Sequence, residues 1–107
     1  MKQPKKILVI GELNVDILLN GIDGFPQMGK EILADSMNVV LGSSSAIFAA
    51  NAAALGASVS FCGKVGNDAY GELCVRTLKN MGVQTDWISI SAEKNTGATL
   101  ILTAYES

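Results

Sequence analysis

The chain has no histidine in its 107 residues, so the commonest general base and transition-metal ligand at neutral pH is missing. Acid–base chemistry falls to carboxylates or lysines. Cysteine is scarce: Cys62 and Cys74 stand outside metal-ligand spacings and read as buried, reduced thiols of a cytoplasmic protein. Two prolines and eleven glycines act as punctuation rather than as low-complexity sequence. Aromatic residues make up 6%, which leaves few rings to stack on nucleobases. Positive charge is not in surplus. The net charge is −2, and beyond Lys2, Lys5 and Lys6 the cations are scattered, so no basic stripe exists to release counterions from a nucleic acid. No apolar run approaches the ~20 residues of a membrane span. The opening Lys-rich segment and Ile7-Leu8-Val9-Ile10 imitate a secretory leader, but Glu12, Asn14 and Asp16 interrupt it and no small-residue cleavage site follows. A strand buried on both faces is expected there instead. Neither a nucleic acid nor a membrane is an expected partner.

What is present is a chain 49% hydrophobic and 17% charged, the balance of one α/β domain over residues 1–107. Residues 6–10 form an apolar strand, and residues 12–19 continue it with Asn14 and Asp16 on one face by the period of two. Residues 20–29 are turn-rich and residues 37–41 are extended, together a small flap outside the central sheet. The spacing predicts a helix from Ser44 to Leu55 with a serine N-cap and Gly56 as its left-handed stop. A strand over 58–64 precedes a second helix, which Asn67 or Asp68 caps and Gly82 ends. Tyr70, Leu73, Cys74, Thr77, Leu78 and Met81 fall on its one apolar face. Residues 87–90 and 98–104 read as strands. This order implies a partial, mostly parallel sheet flanked by helices. The last strand lacks a returning element, so a truncated chain with an unpaired apolar edge is expected.

Two phosphate-binding patterns fail on inspection. Gly24-Phe25-Pro26-Gln27-Met28-Gly29-Lys30-Glu31 nearly matches GxxxxGK[ST], but Glu31 would repel phosphate and Pro26 removes a backbone donor. The GxGxxG of dinucleotide folds is broken by Leu13 and Asp16. Asn14 and Asp16 carry more. A carboxylate and an amide at the carboxyl edge of a parallel sheet offer the acceptors and donor that sugar hydroxyls need, although a solvated strand end reads the same way. Gly42-Ser43-Ser44-Ser45 lets backbone approach a polar ligand at a helix N-terminus; the residues alone leave a plain capped turn equally open.

Taken together, Gly11 to Asp16, Gly42 to Gly56 and Gly63-Lys64-Val65-Gly66-Asn67-Asp68-Ala69-Tyr70-Gly71 resemble the N-terminal third of a ribokinase-like (PfkB) carbohydrate kinase. The resemblance implies that Asp16 binds substrate hydroxyls, with Asn14 beside it and Gly42 and Ser43 lining the sugar pocket. It implies that residues 20–41 and part of 85–105 form a β-lid through which some members form homodimers. Such enzymes transfer the γ-phosphoryl of ATP, with Mg²⁺, to a sugar hydroxyl. Two positions depart from the pattern. Ser43 replaces a second glycine, and Ile47 stands where a substrate-binding asparagine is usual, removing a hydrogen-bonding partner worth about 1–3 kcal/mol if the substrate group is left buried and unpaired. Recognition in the ribose manner is therefore not expected, and Asn51, one turn beyond, is the candidate to take over. The Gly-Ala-Gly-Asp catalytic motif has no match, so no catalytic or metal-binding residue is assigned in this chain. It is expected to be inactive and to bind neither ATP nor Mg²⁺ alone. A non-catalytic sugar-binding or dimerisation module, and a nucleoside kinase of the same fold, are the alternatives.

Overall fold

The computed structural model describes residues 5–105; the basic start at Lys2 and the terminal Ser107 lie outside them. The chain runs β1 (Lys6–Ile10), β2 (Asn14–Ile22), β3 (Ser36–Leu41), α1 (Ser44–Ala54), β4 (Ser58–Gly66), α2 (Ala69–Asn80), β5 (Gln84–Ser91) and β6 (Gly97–Ala104). These strands form two sheets. The central sheet is parallel throughout in the order β1-β4-β5, and the outer sheet is mixed, with β2 between antiparallel β3 and parallel β6.

The core lies between one face of the central sheet and the two helices. Val59 and Phe61, neighbours of Ile7 and Val9 in the β1–β4 ladder, are sealed from solvent. Ala46, Ala49 and Ala50 of α1 and Cys74 and Leu78 of α2 complete the core with Val65 and Val83. Alanines bring the α1 backbone close to the sheet, as the small-residue run requires. Both helices end as expected, on Gly56 at φ 100° and Gly82 at φ 91°. Asp68, rather than Asn67, caps α2.

Three expectations need correction. Residues 6–19 are not one continuous strand: the chain breaks at Gly11-Glu12-Leu13, and residues from Asn14 onwards join the outer sheet. The physical reason is Leu13, which turns inward and is buried in the core between the two strands. Second, β1 is covered on only one face, since Leu8 and Ile10 are 59% and 72% exposed on the other. Third, Cys62 shares that open face and is half-buried, whereas Cys74 is buried; both are free thiols. Among the described residues, no helix is long and apolar enough to cross a membrane.

Candidate functional site

Strand periodicity puts Asn14 and Asp16 on the same face of β2, with Val15 buried on the other. At the end of β3 the Gly42 N–H donates to the Asn14 carbonyl at 2.8 Å, which places the glycine directly beside both side chains. A Cβ on Gly42 would lie 2.5 Å from Asp16 Oδ1 and 2.8 Å from Asn14 Nδ2. Only glycine leaves the acid and the amide room to converge. The convergence is reached from the start of β2, in the outer sheet, and not from the carboxyl end of a central parallel strand.

Ser43 has a different job from the one its sequence position suggests. Its hydroxyl donates to the Glu12 carbonyl at 2.6 Å and accepts the Ala46 N–H at 3.3 Å, closing the turn and capping α1. Its φ of 70° lies in the region that favours glycine, which accounts for the second glycine of the family pattern. Ile47 stands on the exposed flank of α1, 45% exposed, and Asn51 is exposed one turn further on.

Beside Asn14 opens a groove of about 450 Å³ at the carboxyl ends of β1, β4 and β5, where ligands of parallel sheets usually bind. Its walls include Gly11, Glu12, Asn14, Lys64, Lys94 and Thr96; Asp16, Gly42 and Ile47 are not among them. Sequence reasoning missed Lys64, Lys94 and Thr96. The signal for Thr96 was the polar turn Glu93-Lys94-Asn95-Thr96-Gly97, which separates two strands that end in different sheets.

Below the groove, Asp68 of the Gly63–Gly71 motif ties the start of α2 to the entry of β6. Asp68 Oδ1 accepts the Gly71 N–H at 2.8 Å and the Thr96 hydroxyl at 2.7 Å, while Oδ2 accepts the Thr96 N–H at 2.8 Å. These bonds, led by the Thr96 hydroxyl, hold the Asp68 carboxyl below its usual range. Burial, with a smaller contribution from the Asp68 carboxylate, pushes the Cys74 thiol up to about 11, so it is neutral at physiological pH. Among the described residues, no three His, Cys, Asp or Glu side chains come together to hold a metal ion.

A family model for the pfkB family carbohydrate kinases matches residues 4–106. Ribokinase of Bacillus subtilis (strain 168) is 36% identical over 100 residues, which cover 94% of this chain and 34% of that protein. The structure of Arabidopsis thaliana ribokinase complexed with ribose and ATP aligns with a TM-score of 0.85 at 28% identity, over 94% of this chain and 32% of that one. A nucleoside kinase of Methanocaldococcus jannaschii shares the fold, with a TM-score of 0.81 at 24% identity over 96% and 34% of the two chains. This chain thus spans about a third of the length of these relatives. The motifs that bring Asn14 and Asp16 onto one glycine are the motifs of a ribokinase-like fold, and with the match running from residue 4 to 106 the chain belongs to the pfkB family of carbohydrate kinases.

Proposed function

We propose that this chain is the substrate-binding and lid portion of an ATP-dependent carbohydrate kinase. The observation that carries the reading is the convergence of Asn14 and Asp16 on Gly42. The Asp16 carboxyl oxygens can accept hydrogen bonds from two vicinal hydroxyls, and Asn14 adds both a donor and an acceptor, a set suited to a polyol. In this reading the outer sheet closes over the sugar and excludes water, and ATP supplies the γ-phosphoryl group. What residues 5–105 contribute is orientation of the accepting hydroxyl, the positioning half of phosphoryl transfer. The face of the outer sheet opposite Asp16, where Met37, Leu100 and Leu102 are exposed, is the proposed homodimer surface.

Calorimetric titration with D-ribose, D-fructose and adenosine tests the reading. Binding of a sugar is expected, with a loss on the order of tenfold or more in Asp16→Ala, the usual cost of removing a charged hydrogen-bonding partner. Gly42→Ala should weaken binding similarly, because its methyl would occupy the space where the acid and the amide meet. No ATP-dependent turnover is expected from residues 1–107. Turnover by the purified chain would overturn its role as a binding portion, and binding of adenosine in preference to either sugar would establish a nucleoside site instead. Sugar binding by a monodisperse dimer that is never part of a longer kinase would favour the stand-alone module.

A further inference from the structure

Three stretches enter or leave the outer sheet: residues 11–13 from β1, residues 42–43 into α1, and residues 92–96 from β5. The first two are tied to each other through the Ser43–Glu12 and Gly42–Asn14 hydrogen bonds. The third is held from the opposite side, by α2. Ser91 Oγ accepts the Glu93 and Lys94 N–H groups and shapes the turn, after which Thr96 is gripped by both oxygens of Asp68. The Thr96 hydroxyl also accepts the Gly66 N–H at 2.8 Å, so one buried side chain joins the end of β4, the start of α2 and the entry to β6.

The packing around this junction admits no slack. A Cβ on Gly66 would lie 2.6 Å from Thr96 N and 2.7 Å from Asp68 Oδ2, and a Cβ on Gly71 would collide with the Gly66 carbonyl. Immediately after Thr96, Gly97 is the ladder partner of Asn14, and the next pairs are Ala98 with Val15 and Thr99 with Asp16. The junction therefore lies one residue from the strand segment that carries the candidate site. Asp68 itself does not line the groove beside Asn14.

We propose that Asp68 and Thr96 are positioning residues whose clamp fixes the leading edge of β6, and through its ladder Asn14 and Asp16, relative to the carboxyl ends of the central strands. The clamp stands on the geometry alone; that it positions a ligand site rests on the sugar-binding reading above. A carboxylate that never touches the ligand would then set ligand affinity through the outer sheet.

Amide hydrogen exchange on the chain, with titrations of the same three ligands, tests this in Asp68→Asn, Thr96→Val and Thr96→Ser. Asp68→Asn keeps one acceptor and loses the other; Thr96→Ser keeps the hydroxyl. Exchange at residues 14–16 and 97–99 is expected to rise about tenfold in Asp68→Asn and Thr96→Val, with residues 59–61 unchanged and Thr96→Ser at the wild-type rate, the pattern of a local opening. Affinity for whichever ligand the wild type binds should fall by about the same factor in Asp68→Asn. Equal acceleration in both sheets, or unchanged affinity in a folded Asp68→Asn, would overturn the proposal. The local pattern in a wild type that binds none of the three ligands would support the clamp and count against the sugar site. If neither variant folds, the wild type decides: common protection of the Gly66, Gly71 and Thr96 amides supports the clamp, and exchange at free-peptide rates refutes it.

Discussion

A single backbone angle at Ser43 links the strained turn to the candidate site. At φ 70° and ψ 124° the residue sits where an L side chain is costly, and its hydroxyl compensates by bonding Glu12 and capping α1. Removing the hydroxyl and removing the strain should therefore act in opposite directions. Ser43→Ala keeps the strain and loses both hydrogen bonds, so a loss of about 1–2 kcal/mol is expected from urea unfolding, the range of an N-cap deletion. Ser43→Gly gives up the same bonds but relaxes the backbone, and its midpoint should stay near that of the parent. An alanine variant as stable as the glycine variant would mean that the angle carries no strain. Sequence reading assigned Ser43 to the pocket because the family pattern puts a glycine there. What it could not supply was the angle that makes glycine the preferred residue.

Among the elements, α2 shows how far periodicity reaches. The predicted stripe is present, with Cys74 and Leu78 buried at its centre, and its edges, Tyr70 and Met81, are exposed. Burial of Cys74 has a consequence at high pH. Its thiol titrates near 11 in the folded chain against an ordinary value of 9.0, so between those values the unfolded chain loses the proton while the folded one retains it. The contribution is complete below pH 9 and is lost as pH rises towards 11. The stability advantage of the parent over Cys74→Ala, read from denaturant midpoints, should shrink across that window. A constant difference would show that the thiol is not desolvated. For β2 the same kind of reading was half right. Period two gave the shared face of Asn14 and Asp16, but no local rule distinguishes a strand that continues from one that breaks at Gly11 and moves to another sheet.

For the whole molecule, the uneven covering of the central sheet dominates. Helices pack one face, while Leu8, Ile10 and Trp87 lie on the other, the last 67% exposed. Parallel sheets are ordinarily covered on both sides. The radius of gyration is 16.8 Å, against about 13 Å for a compact chain of this length, in keeping with two sheets and a single helical layer. Trp87 is the chain's one tryptophan and reports on that face directly. Its emission should be that of a solvated indole, quenched by acrylamide nearly as readily as free tryptophan. A blue-shifted, protected indole would show that something covers the sheet.

The elements were legible in the chain alone, because apolar spacing, caps and glycine stops act within a few residues of one another. The family was legible too, because three motifs at fixed separations are far more specific than any one of them. Which sheet each strand joins, and which polar groups meet, emerged from the folded chain. Asn14 and Asp16 reach Gly42 across 26 to 28 residues of chain, and Asp68 reaches Thr96 across 28. The first contact depends on the register of the β2–β3 ladder and the second on where the chain turns between β5 and β6, long-range pairings that no local pattern encodes.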